Sequence, residues 1–387
     1  MSSVTYGYGG SARTSASVWR GWDRFDYVMV ATALALVAVG LVLIYSGSLS
    51  FYEGPLASFQ SPVFKQVIFA CIGIAGMLAV SKFDYHYLTH YAWVLYGIGC
   101  VSLVAILAIG QTAFGSTRWF DLGPIQVQPS EFAKLATILA LARYFSEHGG
   151  DAREVKSLLI SLAIVAPVAG LVFVEPDLGT SIVFFAIWLG IVVVAGVKAS
   201  HLLVMTAIFL AVFPFLWTFA IADYQVERVS VLVDSNEDAL GAGYNVNQSK
   251  IAVGSGEWLG KGFTNGDQTQ LGYLKVATKD FIFSLLSEEF GFAGCMVVFG
   301  LFILLLMRGV RAAQIAGDTA GQLVAVGIVM LILMQTFINV AVNLSIFPVT
   351  GVPLPFISQG GSSLVSLFIS LGILQSIVMR HRAYRQT

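Results

Sequence analysis

Asp280 stands where a long polar loop gives way to an apolar run, in Thr278-Lys279-Asp280-Phe281-Ile282-Phe283. A carboxylate at such a boundary is half solvated, so its pKa can rise toward the working range of a general base. The same position also suits a plain helix-capping acid, which the helix dipole favours. Arg118 follows Ser116-Thr117, and Gln128-Pro129-Ser130-Glu131 opens a short apolar run that also holds Lys134. Glu131 and Lys134 are three apart and share a helix face, either as a neutralised pair or as groups that meet substrate. Glu175-Pro176-Asp177 sets two carboxylates in a tight turn, which suits a solvated turn or a divalent cation. Glu288 and Glu289 fall roughly 12 Å into an apolar run, where acids are costly and are either paired or functional. Of the two, Glu288 projects nearer the face of Asp280. Gln335, Asn339 and Asn343 are spaced by four and form a polar stripe, suited to interhelical hydrogen bonding or to substrate contact.

The elements that must position these groups are membrane helices. Apolar residues make up 57% of the chain and charged residues 11%, with a mean hydropathy of +0.81. No soluble domain of 387 residues hides that much apolar surface, whereas a bundle facing lipid leaves it outside. The formal net charge is −1, so nothing in the charge balance points to nucleic acid or to a polybasic membrane clamp. Cys71, Cys100 and Cys295 are odd in number, widely spaced and inside apolar runs, so neither a disulfide framework nor a cysteine metal site is expected.

Runs of spanning length fall near 26–48, 63–83, 91–110, 157–174, 178–196, 200–221, 281–307, 321–345 and 362–380, with a shorter tenth near 131–146. The expected fold is therefore all-α: a polytopic membrane protein with ten transmembrane helices. Residues 1–25 read as a disordered cytoplasmic tail without a cleaved signal, 26–380 as the ten-helix domain and 381–387 as a second tail. Ten spans place both termini on one side. Thirteen Lys and Arg residues fall in the tails and even-numbered loops, against Lys65, Arg118 and Lys134 in the short opposite loops. Both termini are thus expected in the cytoplasm. All five histidines then lie inside, which leaves acid–base chemistry on the outer face to carboxylates with Arg and Lys.

Two connections are unusual. Residues 222–280, between helices 7 and 8, form a 59-residue extracytoplasmic loop with enough aromatic and apolar residues to fold as a cap on the membrane. Residues 347–363, between helices 9 and 10, are apolar but broken by Pro348, Pro353, Pro355, Gly360 and Gly361. They read as a re-entrant segment lining the cavity of Asp280. No internal repeat and no soluble domain is visible.

At these residues the chain resembles the SEDS family of bacterial cell-wall polymerases, the group containing RodA and FtsW. The resemblance spans roughly 26–380. It rests on Arg118-Trp119 with Gln128-Pro129-Ser130-Glu131, on Pro176-Asp177-Leu178-Gly179-Thr180, on Asn247-Gln248-Ser249-Lys250 with Gly254-Ser255-Gly256, on Asp280-Phe281-Ile282-Phe283 with Glu288-Glu289-Phe290-Gly291, and on Pro353-Leu354-Pro355 with Gly360-Gly361-Ser362-Ser363. Gln248-Ser249-Lys250-Ile251-Ala252 and Gln268-Thr269-Gln270-Leu271 are more similar to RodA, the elongation member. Two departures stand out: Lys275, Val276 and Ala277 where the family has Pro-Glu and then His, and Gln359 in place of a tyrosine.

The resemblance implies a peptidoglycan glycosyltransferase of the bacterial cytoplasmic membrane that polymerises lipid II on its outer face and releases undecaprenyl pyrophosphate. It implies Asp280 as the catalytic base, and substrate contacts from Arg118, Glu131, Lys134, Asp177, Gln248, Ser249, Lys250, Glu288, Ser358, Gly360, Gly361 and Ser362. Positive charge for the leaving group would come from Arg118, Lys134, Lys250 or a divalent cation, Mg²⁺ or Mn²⁺, with no organic cofactor. Partners would be lipid II, membrane lipids, a class B penicillin-binding protein and the elongation or division machinery, without nucleic acid. A lipid II flippase is the rival reading, but a transporter concentrates its polar groups at the midplane, and here they crowd the outer third. A non-catalytic cell-wall scaffold is the third, and it would have no need of Asp280.

Overall fold

Five polar side chains punctuate the apolar sequence and set where its helices begin. The computed structural model of the chain describes residues 22–109, 111–113, 116–121, 123, 126–147, 154–207, 242–274 and 276–380. Asp26 accepts from the Met29 amide at the start of α1 (Tyr27–Ser48), and Ser61 from Phe64 at α2 (Pro62–Lys82). Asp84 caps the short α3 (Tyr85–His90), Asp177 caps α7 (Leu178–Val194) and Asp318 caps α11 (Thr319–Asn343). Each cap satisfies amides that the first helical turn leaves without partners. Between these stand α4 (Ala92–Ile109), α5 (Pro129–Glu147), α6 (Val155–Val174), α8 (Ala242–Ser255), α9 (Asp267–Gln270), α10 (Ile282–Ile315) and α12 (Gly361–Arg380).

Six of the helices are long and apolar enough to cross a membrane: α1, α2, α6, α10, α11 and α12. Helices α4 and α7 are shorter and equally apolar. The run expected at 200–221 is helical over 199–207, and its remainder lies outside the described residues, as do residues 1–21 of the first expected tail, the whole of the second and most of the first half of the 222–280 loop. Trp22–Arg24, expected within the disordered tail, form a short 3-10 helix. Helices α5 and α12 are buried along nearly their whole length, α12 against α2 and α5 against α4 and α11. Helices α2, α4 and α6 turn large apolar side chains outward, as lipid-facing helices do.

Two findings correct the expected fold. The chain is not purely helical: β1 (Gln111–Ala113), β2 (Ser116–Asp121) and β3 (Gln126–Val127) form a small antiparallel sheet in the order β1-β2-β3, between α4 and α5. The second concerns α10, which was expected as one continuous span over 281–307. It is broken at Gly291, whose φ of 64° lies in the left-handed region where glycine carries no Cβ penalty.

The loop fills that break with its own backbone. Lys261 and Gly262 donate to the carbonyls of Glu288 and Glu289 at 2.9 and 3.0 Å, while Phe292 and Ala293 donate to Glu257 and Trp258 at 2.9 and 3.0 Å. Backbone groups exposed by a broken membrane helix must find partners in protein, and here residues 257–262 supply them. The approach is close enough that a Cβ on Gly291 would stand 2.3 Å from the Gly260 nitrogen.

Candidate functional site

Asp280 is held by its backbone. Asn339 and Asn343, on successive turns of α11, both donate Nδ2 to the Asp280 carbonyl, at 3.0 and 2.9 Å. Asn343 Oδ1 accepts from the amide and hydroxyl of Ser284, so α11 caps the first turn of α10. The N-cap position itself falls on Phe281. Asp280 stands just before it, half-buried. Two thirds of the polar stripe thus serves to position one residue.

The re-entrant segment closes around the same place. Residues 347–360 run without helix, half of them buried and none exposed, as non-helical backbone packed against protein is. They are held from three directions. Gln66 of α2 donates to Ser358 O at 3.1 Å and accepts from Gly360 N at 3.2 Å. Asn339 donates to Val352 O at 2.9 Å. Ser358 Oγ donates to Lys279 O at 2.7 Å, and Gln359 joins Thr278 through its amide at 2.9 Å and its side chain at 2.8 Å. Gln359, one of the departures from the family pattern, therefore ties the re-entrant segment to the residue two before Asp280. Gln66 was not singled out from sequence, although a lone amide in an apolar run was the available signal.

The third component is the turn between α6 and α7. Arg118 reaches it from β2: Nε donates to Glu175 O at 3.0 Å, one terminal nitrogen donates to Pro176 O, and the other stands 3.8 Å from Asp177 Oδ2. A solvated turn was one of the two readings of Glu175 and Asp177, and their burial contradicts it. The two are only 1% and 2% exposed, because Arg118 and the re-entrant segment cover them. Burial pushes the Glu175 carboxyl up to about 8, the Asp177 charge pushes the same way, and Arg118 opposes both. Glu175 Oε1, and Thr350 Oγ1 beside Gly179, are buried and find no hydrogen-bond partner among the described residues. Orphaned buried oxygens cost free energy unless something else meets them.

Gly351 joins the parts. Its φ is 75°, and a Cβ there would lie 3.5 Å from the Arg118 guanidinium and 4.0 Å from Asp280 Oδ2. A carboxylate and a guanidinium therefore face one small space that only a glycine leaves open. That arrangement can take a proton at one side and receive negative charge at the other.

The remaining candidates distribute differently. Glu131 and Lys134 pair at 2.8 Å with Lys134 fully buried, so Lys134 is closed off from any substrate phosphate. Ser249 is buried between Ser284 Oγ and Asn343 O and packs α8 onto α10 and α11, Gln248 is half-buried, and Lys250 is exposed. Ser362 bridges β3 to α12, and Gly361 lies against the ring of Phe69. Glu288 does not turn toward Asp280 as expected. It accepts from the Gln268 amide at 2.8 Å and from Thr269 Oγ1 at 3.0 Å, with Lys261 at 3.7 Å, and so braces the start of α9. Glu289 receives Ser46 Oγ from α1 and Gln270 Nε2 from the loop.

No group of three or more His, Cys, Asp or Glu suited to a metal ion occurs among the described residues. Arg118 already occupies the charged side of Asp177, so Glu175 and Asp177 do not fit a resident Mg²⁺ or Mn²⁺.

A family model described as "Cell cycle protein", covering FtsW, RodA and SpoVE, matches residues 26–383. The chain is similar to the peptidoglycan glycosyltransferase MrdB of Escherichia coli K12, 39% identical over 306 residues that cover 79% of this chain and 82% of that protein. It is similar to the stage V sporulation protein E of Bacillus subtilis, 36% identical over 316 residues, 81% of this chain and 86% of the relative. A chain from a solved structure on coordination of polymerization and crosslinking by a peptidoglycan synthase complex superposes with a TM-score of 0.78 at 30% identity, covering 94% of this chain and 99% of that one. The crystal structure of the rod shape determining protein RodA of Thermus thermophilus superposes with a TM-score of 0.68 at 27% identity, over 94% and 98% of the two chains.

Proposed function

The chain belongs to the FtsW, RodA and SpoVE family of cell cycle proteins, and from that membership we propose how its geometry works. It is a multi-pass membrane protein and a peptidoglycan glycosyltransferase with a role in cell shape. It polymerises lipid II at the outer face of the bacterial cytoplasmic membrane, with both termini inside and a role in elongation. The observation that carries the mechanism is the pairing of Asp280 and Arg118 across Gly351.

Asp280 is the general base. As the 4-hydroxyl of the acceptor sugar attacks the anomeric carbon of the donor, its proton passes to the Asp280 carboxylate. The anomeric C–O bond breaks, and undecaprenyl pyrophosphate leaves with the electron pair. Arg118 meets the charge that develops on the leaving oxygen, and Asp177 with the carbonyls of Glu175 and Pro176 holds the guanidinium in place. Lys134 takes no part, and no step passes through a metal ion. The orphaned oxygens of Glu175 and Thr350 are the groups that a bound substrate or its water would satisfy. The lipid tail needs a groove open to the bilayer, which a helical bundle provides.

The acids and amides that suited a transporter are engaged in bracing the loop and holding Asp280, which supports the enzyme over the flippase. A class B penicillin-binding protein is the natural partner, since cross-linking must follow polymerisation.

Purified Asp280→Asn protein tests the assignment in a lipid II polymerisation assay with the partner present. The amide keeps the size of the side chain but takes no proton near neutral pH, so polymerisation should fall by about 10²-fold or more. Folding, partner association and lipid II binding should stay as in the wild type. Near-normal glycan formation would remove Asp280 as the base.

A further inference from the structure

A second polar site lies at the opposite end of the bundle from Asp280, where α1 begins and α10 ends. Asp23, Arg24, Asp26, Tyr27, Arg308 and Arg311 line a cleft of about 360 Å³ there, closed on its apolar side by Val28, Ile315 and Val378. Its floor is rigid. Arg308 Nε donates to Asp26 Oδ2 at 2.7 Å, Asp26 also caps α1, and Gln375 of α12 binds both backbone groups of Asp26 at 2.9 and 2.8 Å.

That ion pair is neutral and occupied. Arg24 and Arg311, by contrast, form no ion pair with any described residue. Asp23 sits exposed at the rim, and the five charged side chains together leave a net positive charge. An arginine fork matches two oxygens of a phosphate, and two arginines flanking one cleft suit a single phosphate group.

The position of the cleft decides what kind of phosphate it meets. Tyr27 and Val28, at the first turn of a spanning helix, are 66% and 46% exposed. On α10, Met307 and Val310 beside the two arginines are also turned outward. A tyrosine at this depth marks the boundary between headgroups and acyl chains. Basic pockets between membrane helices at that level recognise anionic headgroups. We propose that this cleft binds the phosphate of an anionic phospholipid in the leaflet opposite Asp280, with Arg24 and Arg311 on the phosphate and the acyl chains along α1 and α10. The proposal rests on the spanning helices and is independent of the glycosyltransferase mechanism.

The test uses the full chain, purified and stripped of lipid, titrated separately with phosphatidylglycerol, phosphatidylcholine and inorganic phosphate. Native mass spectrometry reads retention, and thermal unfolding reads stabilisation. Phosphatidylglycerol should be retained and should raise Tm, whereas phosphatidylcholine should do neither. The double variant Arg24→Gln with Arg311→Gln should weaken retention by at least about tenfold, the effect of losing one or two charge-assisted contacts. Its Tm without lipid should be unchanged, because neither side chain holds another element. If the double variant proves unstable, Arg311→Gln alone, at an exposed position, should still weaken retention severalfold. Wild-type retention by the variants, or equal retention of phosphatidylcholine, would overturn the proposal. Stabilisation by inorganic phosphate to the same extent as by phosphatidylglycerol would overturn the lipid source.

Discussion

Asp280 and Glu288 stand eight residues apart around one half of α10, and they are put to opposite uses. Glu288 spends both carboxylate oxygens on the loop, and every contact it makes holds another element in place. At Asp280 the backbone carbonyl does the holding, through two asparagines, and the carboxylate is left half-buried toward Arg118. Intramembrane acids are costly, and the comparison shows the two ways in which the cost is met. One acid is fully bonded and braces a fold. The other is supported from behind through its backbone carbonyl, which fixes where its side chain stands.

The largest effect that separates the two is on turnover. Asp280→Asn should remove about 10²-fold or more of polymerisation with an unchanged Tm. Glu288→Ala should show the reverse pattern. It strands the Gln268 amide and the Thr269 hydroxyl, so stability should fall by about 2 kcal/mol, with residual activity following the folded fraction. Thermal unfolding and polymerisation measured on the same samples check both, and a Glu288 variant that is stable but inactive would erase the distinction. A smaller effect is expected at Gly351→Ala, where the methyl group enters the space shared by Arg118 and Asp280 and the positive φ adds strain of about 1–2 kcal/mol. Turnover should drop by about tenfold while KM changes less, which steady-state kinetics would show.

The smallest effect concerns Glu175, the acid whose Oε1 has no partner among the described residues. Its carboxyl is raised from 4.5 to about 8, chiefly by burial. Between those values the folded chain keeps a proton that the unfolded chain has lost, so this group's contribution to stability declines as pH rises through the window. Glu175→Gln mimics the protonated acid and removes the dependence. The Tm difference, variant minus wild type, should therefore grow from pH 5 to pH 8, which thermal unfolding at each pH would show. A flat difference would show that Glu175 is ionised throughout.

Much of this was legible before any coordinates. Hydropathy placed the starts of the long helices to within a few residues, where Asp26, Ser61, Asp177 and Asp318 prove to cap them, but it ended α10 at 307, eight residues short of Ile315. The non-helical course of 347–360 was readable because prolines and glycines in an apolar stretch exclude a helix. The break at Gly291 was hidden, since a single glycine in an apolar run is tolerated in many helices, and only the loop stitched into it reveals the interruption. The burial of Glu175 and Asp177 was equally hidden. The same three residues make an ordinary wet turn unless an arginine 57 positions away arrives to cover them. The full burial of Lys134, read from sequence either as half of a neutralised pair or as a group that meets substrate, was hidden for the same reason: exposure is set by packing partners that are remote in sequence.

The stitch at Gly291 also constrains the order in which the chain can be assembled. Residues 257–262 leave the ribosome before the helix they repair, so the amides of Lys261 and Gly262 have no carbonyls to meet when the loop first emerges. The carbonyls of Glu288 and Glu289 in turn cannot enter the bilayer core unaccompanied. Loop and helix must therefore be installed together, as one late event of insertion. A loop truncated or lengthened within 256–262 would leave a membrane helix with an open seam, and quality control would meet that defect before any substrate did.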